Sequence, residues 1–377
     1  MRAALAAITD AGMPGVFAEV RDGRATWRGA SGVADVATGR PMRPDFRQRV
    51  GSITKTFVST ALLQLVGEGR LSLDAPLRRY LPALAPDGVT VRMLLSHTSG
   101  ISDYDHVLFA TLEGIEKYRH TTVRPLELAR IGLSQPPTNP PGGPYAYSNT
   151  NFVLAGLLLE RLTGRPAARE ISRRILRPLG LRDTYFPGTA TRIEGPHSLG
   201  YVPWVDATLR DFSVYNMSWA WMAGELVSTT ADLNRFYRAL LGGRLLRPAE
   251  LAQMRRTVPV DPTQPDGMRY GLALYSLPLP GVLGWGHDGV VLGYQTMSLH
   301  SADGRRQVTV ALNASHYGIP GQPDPIAAAM IQFLILALGG TAGTAAARSG
   351  APSSWRPLTP APGRTALGVP GSGALAR

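Results

Sequence analysis

The stretch "RVGSITKTFVSTALLQLVGEGRL", residues 49–71, decides how the rest of the chain is read. Phe57, Ala61, Leu62, Leu65 and Val66 recur with helical period, and Gly67 and Gly69 close the pattern. Ser52 and Lys55 stand three residues apart where that helix begins. Positions i and i+3 of a helix are neighbours, with Cβ atoms roughly 5–6 Å apart. Lys55 is one of two lysines, with Lys117, in a chain that otherwise uses arginine. A serine hydroxyl is a weak nucleophile until a base takes its proton. A lysine amine becomes that base when burial and a helix N-terminus lower its pKa, whereas arginine never loses its proton in a protein. A purely structural reading stands beside this one, since serine caps helices and exposed lysine is common on them.

Two further stretches carry chemistry. "PPGGPYAYSNTNF", residues 140–152, places Tyr147-Ser148-Asn149 in a Pro/Gly-rich loop before an apolar helix. Structurally, Asn149 or Asn151 closes the first turn and Tyr147 packs its ring. Functionally, Tyr147 relays a proton and Asn149 donates to a substrate amide. "GWGHDGVVLGY", residues 284–294, contains Asp288-Gly289, a strong hairpin signal. The functional alternative puts Gly289 on an edge strand, where a substrate backbone approaches closely and the next amide points at a developing oxyanion.

The chain has 377 residues, 44% of them hydrophobic, and no cysteine. Disulfides, thiol catalysis and cysteine–zinc sites are excluded. The seven histidines show no H-E-x-x-H spacing, so neither metal nor cofactor is expected. The formal charge is +12. Its arginines are scattered and interleaved with acids, as in "AREISRRILRPLGLRD" (168–183), so no nucleic-acid partner is expected. The longest apolar run, "IQFLILAL" from Ile331, is too short to span a membrane. "MRAALAAITD" at the start lacks the apolar region of a secretory signal. The expected location is cytoplasmic as written, and extracellular if the start is truncated.

Along the chain, "GVFAEV", "ATWRGA" and "SGVADVATG" read as short strands, and helical stripes dominate from about Asp74 to Leu226. Strand patterns return in "MRYGLALYSL", "VLGWGHDG", "GYQTMSLH" and "RQVTVALN", before a helix from about Pro325 to Leu338. This order predicts an α/β (α+β) fold in which late strands complete an early antiparallel sheet. The expected units are a discontinuous sheet domain (1–73 and 227–338), a mainly helical inserted domain (74–226) and a disordered tail (339–377) poor in core formers.

Taken together, "RVGSITK", "LLQLVGEGRLSLD", "LLSHTSG", "YSNTNFVLAGLLLERLTG" and "WGHDG" resemble the active-site serine penicillin-recognising enzymes over about residues 5–335. That family includes class C β-lactamases, D-alanyl-D-alanine carboxypeptidases, D-aminopeptidases and some esterases. The similarity is nearest to the soluble actinomycete D-alanyl-D-alanine carboxypeptidase. The resemblance implies the β-lactamase/transpeptidase-like fold, with a cleft between the sheet and the helical part. It implies Ser52 as nucleophile, Lys55 as its base and Tyr147 as the proton shuttle to the leaving group. Asn149 would orient the substrate amide, and His287 and Gly289 would form the third motif. The backbone amides of Ser52 and Val290 would form the oxyanion hole. Phe109 and Trp219 would wall the cleft.

The sequence departs from the carboxypeptidase where that enzyme holds a free carboxylate. Asp288 and Val290 replace two threonines, and a helpful arginine falls at Tyr275. Each lost charge-assisted hydrogen bond costs about 1.5–3 kcal/mol. The expected function is a serine hydrolase acting through an acyl-enzyme, either D-alanyl-D-alanine carboxypeptidase-like or an esterase or amidase on a neutral substrate. A slowly turning-over penicillin-binding sensor is the alternative outside catalysis. The expected partner is a small-molecule or peptide substrate (acyl-D-Ala-D-Ala, ester or β-lactam), and the expected state is a monomer.

Overall fold

The computed structural model describes residues 1–204, 208–315 and 323–340. The tail expected to be disordered lies outside the described residues from position 341 onward. Helix α1 (Arg2–Asp10) precedes strands β1 (Gly15–Asp22), β2 (Ala25–Asp35) and β3 (Arg40–Pro41). The two segments read as "ATWRGA" and "SGVADVATG" are one strand here. Pairing with β1 from Gly15↔Gly32 to Asp22↔Ala25 holds β2 unbroken through its glycines. Then follow α2 (Thr54–Gly67), α3 (Asn149–Thr163) and α4 (Thr230–Leu241). The late strands are β4 (Val258–Pro259), β5 (Arg269–Tyr270), β6 (Tyr275–Leu279), β7 (Val282–Val291), β8 (Tyr294–His300) and β9 (Arg306–Leu312), ahead of α5 (Pro325–Leu338). "MRYGLALYSL" is thus two strands. They are separated by a turn in which Ala273 takes a left-handed φ of +58°.

Among the described residues, nine strands form one antiparallel sheet in the order β3-β2-β1-β9-β8-β7-β6-β5-β4. The joint between early and late strands is β1 against β9, from Val16↔Leu312 to Asp22↔Arg306. Period-two alternation sorts the faces. Val16, Ala18 and Val20 cluster with Leu5 and Ile8 of α1 and with Met330, Phe333 and Leu334 of α5. Glu19 points the other way; its carboxylate accepts from Arg21, Arg28 and Asn234 of α4.

On that second face α2 and α4 meet through Phe57 and Phe236, whose rings stack 3.7 Å apart. The sequence reading passed over α4. Its start is marked by Thr229, whose hydroxyl accepts the Asp232 amide at 3.2 Å. Helix α2 is more deeply set than its single apolar stripe suggests: every residue from Thr54 to Leu63 is buried. A helix enclosed on all sides lies inside a core, and this is what removes Lys55 from water.

Candidate active site

Ser52 lies in a tight 3-10 turn, Gly51–Ile53, just ahead of α2 rather than inside it. The turn is pinned from outside. The Val50 amide donates to Leu226 O at 2.9 Å. The Thr54 hydroxyl donates to Gly51 O at 2.7 Å and accepts from the Leu226 amide at 3.1 Å. Ile53 and Thr54 keep right-handed dihedrals, so Ser52 and Lys55 stay on one face.

Lys55 Nζ has three acceptors: Ser52 Oγ at 2.8 Å, Asn149 Oδ1 at 2.7 Å and Ala223 O at 2.6 Å. The side chain is fully buried. Burial lowers its pKa to about 7, opposed by the charges of Asp103, Asp105 and Asp288. The neutral amine is therefore well populated near neutrality. The charged amine donates to all three; once neutral it keeps two hydrogens for Asn149 Oδ1 and Ala223 O, and its lone pair then faces the Ser52 proton. That is the geometry of a general base.

Tyr147 Oη sits 2.6 Å from Ser52 Oγ. Burial pushes its pKa well above the usual phenol value, so it is a protonated phenol. It suits a relay between the serine oxygen and a departing group, and it is a poor initial base.

Asn149 departs from its expected part. It is the first residue of α3, behind the N-cap Ser148. Its Oδ1 accepts from Lys55, and its Nδ2 donates to Asp103 Oδ2 at 3.0 Å and Asp105 Oδ2 at 2.8 Å. With both amide hydrogens engaged, it ties Lys55 to a buried acidic pair and, as placed, has none for a substrate. Burial raises the pKa of both carboxyls, and the Asp103 charge adds to the rise at Asp105. The stretch "ISDYDHVLF" (101–109) was not singled out from the sequence, although two acids in an apolar run are the kind of signal that would find it.

The third motif forms no hairpin at Asp288-Gly289. Both lie within β7, and the turn comes at Gly293, with φ +80°. β6 begins at Tyr275, opposite Gly286, and does not cover β7 past that residue. Beyond that point the Val50–Ser52 turn takes the neighbouring place. A Cβ on Gly289 would lie 2.0 Å from Val50 O and 2.6 Å from Ser52 N, and one on Gly51 would lie 2.9 Å from Val290 N. Two glycines thus let the Ser52 and Val290 amides converge. His287 is buried and held neutral at a pKa of about 3 by burial. Its Nδ1 donates to Asp288 O at 2.6 Å, so its Nε2 accepts from Tyr270 Oη at 2.9 Å. Asp288 is buried and hydrogen-bonded to Tyr275.

Ser52, Tyr147, Asn149 and Val290 keep partial exposure, while Lys55, His287, Asp288 and Gly289 are buried behind them. Phe109 and Trp219 correct the sequence reading. They are 1% and 3% exposed and pack edge-on at 4.8 Å, so they form core rather than an open cleft wall. Among the described residues no helix is long and apolar enough to cross a membrane.

Comparison with known proteins bears on this arrangement. The family described as Beta-lactamase matches residues 1–332. A D-aminopeptidase of Cereibacter sphaeroides is 30% identical over 321 residues, covering 80% of this chain and 57% of that protein. Esterase EstB of Burkholderia gladioli is 38% identical over 185 residues, covering 44% of this chain and 45% of the esterase. The chain thus spans about half the length of these curated relatives. The crystal structure of a D-stereospecific amidohydrolase from Streptomyces sp. superposes with a TM-score of 0.77 at 40% identity, covering 83% of this chain and 93% of that one.

Proposed function

From the premise that the chain belongs to the β-lactamase family, we propose a serine amidohydrolase that cleaves D-amino acid amides or esters bearing a free α-amine. The observation that carries the hydrolytic part is the contact of Lys55 Nζ with Ser52 Oγ at 2.8 Å, with the amine's pKa brought to about 7. Neutral Lys55 takes the Ser52 proton as Oγ attacks the carbonyl carbon. The amides of Ser52 and Val290 receive the negative oxygen. The proton passes through Tyr147 to the leaving amine or alkoxide, the carbon–nitrogen or carbon–oxygen bond breaks, and an acyl-Ser52 remains. Water attacks the ester in turn, giving its proton back along the same path, and the acid departs.

The substrate class follows from charge. His287, the one basic side chain of the third motif, is neutral. Tyr275, where the carboxypeptidase has an arginine, is engaged with Asp288. Such a site offers no fixed cation to the free carboxylate of an acyl-D-Ala-D-Ala peptide. The relatives named D-aminopeptidase and D-stereospecific amidohydrolase support the amine-bearing D-substrate, and EstB supports ester cleavage.

The test compares D-phenylalanine amide, its N-acetyl derivative and an acetylated D-Ala-D-Ala peptide. Loss of a charge-assisted contact worth about 1.5–3 kcal/mol should lower kcat/KM roughly tenfold to a hundredfold on N-acetylation. A preference for the D-Ala-D-Ala acid would return the carboxypeptidase reading. Stable fluorescent-penicillin labelling without turnover of any amide or ester would return the sensor reading. The proposed monomer is checked by light scattering.

The pH profile gives a second expected result. The base acts when neutral, and its pKa is lowered from 10.5 to about 7. For a neutral N-acyl ester, kcat/KM should fall about tenfold per unit below pH 7 and level off above it. For D-phenylalanine amide it should fall again on the alkaline side, as the substrate ammonium deprotonates near pH 8. A flat ester profile between pH 5.5 and 9 would exclude Lys55 as base.

A further inference from the structure

His97, in "LLSHTSG", is a fully buried non-glycine residue with a left-handed φ of +55°. Such backbones concentrate where a side chain must be aimed. This one grips the Tyr147 loop at four points. His97 O accepts the Ala146 amide at 2.8 Å. Nδ1 accepts the Ser148 amide at 3.2 Å. Asn151 Nδ2 lies 3.2 Å from the same nitrogen and donates to it, because Asn151 Oδ1 already accepts from Ser99 at 2.6 Å. The imidazole lies tilted against the Tyr147 ring, centroids 4.3 Å apart. As Nδ1 accepts, the proton sits on Nε2, and burial keeps the ring neutral. Residues 146, 148 and 151 are thereby fixed on both sides of the phenol. Ser148 makes no side-chain cap of its own, so the His97 ring takes the place of a local device for setting the entry angle into α3.

We propose that His97 is a positioning residue for Tyr147: its imidazole sets the 146–149 turn so that the phenol oxygen meets Ser52 Oγ. This rests on the reading of Tyr147 as the shuttle to the leaving group. A leaving amine needs that proton and nitrophenolate does not, so the two substrates separate aim from general integrity. The full chain carrying His97→Ala, His97→Asn or Tyr147→Phe is assayed with D-phenylalanine amide and with p-nitrophenyl acetate. His97→Ala should lose roughly 10²-fold in kcat for the amide, the scale of a 1 Å misplacement, with KM little changed and the nitrophenolate burst, which reports acylation alone, slowed less than about fivefold. His97→Asn, which keeps an acceptor near Nδ1 and tolerates left-handed φ, should restore most of the amide rate. Should the alanine variant not fold, His97→Gly removes the ring without backbone strain and takes its place. Equal losses on both substrates, or no rescue by asparagine while Tyr147→Phe discriminates between them, overturn the role of His97. A Tyr147→Phe variant that affects both substrates alike overturns the shuttle reading itself, and the role of His97 falls with it.

Discussion

Arginine in place of Lys55 is expected to lower kcat for activated-ester hydrolysis by roughly 10²- to 10⁴-fold, the span that general-base catalysis supplies. The site holds Nζ by three acceptors at 2.6–2.8 Å. A guanidinium could satisfy the same oxygens. What it cannot do is present a lone pair to the Ser52 proton. Charge and hydrogen bonding survive the substitution while basicity does not, so this variant separates a base from a structural cation. Raising the pH to 9 should rescue nothing. Circular dichroism checks that the fold persists. A variant within about fivefold of the parent would mean that another group takes the proton.

Gly289→Ala should cost about 10²- to 10³-fold in kcat, the usual effect of removing one oxyanion donor. The added methyl would sit 2.0 Å from Val50 O and 2.6 Å from Ser52 N, so β7 and the nucleophile turn must separate. Both contacts are backbone atoms and cannot swing aside. Val290→Ala is the paired control: only its amide is used, so its activity should stay near that of the parent. Nearly full activity in Gly289→Ala would place the oxyanion donors elsewhere.

Much of this was legible in the sequence, for identifiable reasons. The spacing of Ser52 and Lys55 survives because Ile53 and Thr54 keep right-handed backbone through the 3-10 turn. The joint between late and early strands was readable because strand patterns return after the helical stretch, and β1 does pair with β9. Other features lay beyond local pattern. The Ala223 carbonyl that helps hold Lys55 carries no side-chain signature. Asp-Gly at 288–289 has strong turn propensity, yet pairing with β8 from Trp285↔His300 to Val291↔Tyr294 overrode it. Phe109 and Trp219 were assigned by resemblance, and only packing could show them enclosed. Asn149 was read by motif, but its partners Asp103 and Asp105 lie more than forty positions earlier, out of reach of any local window.

The β1–β9 joint has a consequence for biosynthesis. A chain leaving the ribosome carries Ser52, Lys55 and Tyr147 long before residues 306–312 exist to zip against residues 16–22. The Val290 amide also emerges late. The nucleophile is made early but armed last. Closing so long a loop is entropically slow and is rewarded only at the end. Any message or protease that stops the chain short of β9 therefore leaves a fragment with every reactive side chain and no central strand to hold its sheet together.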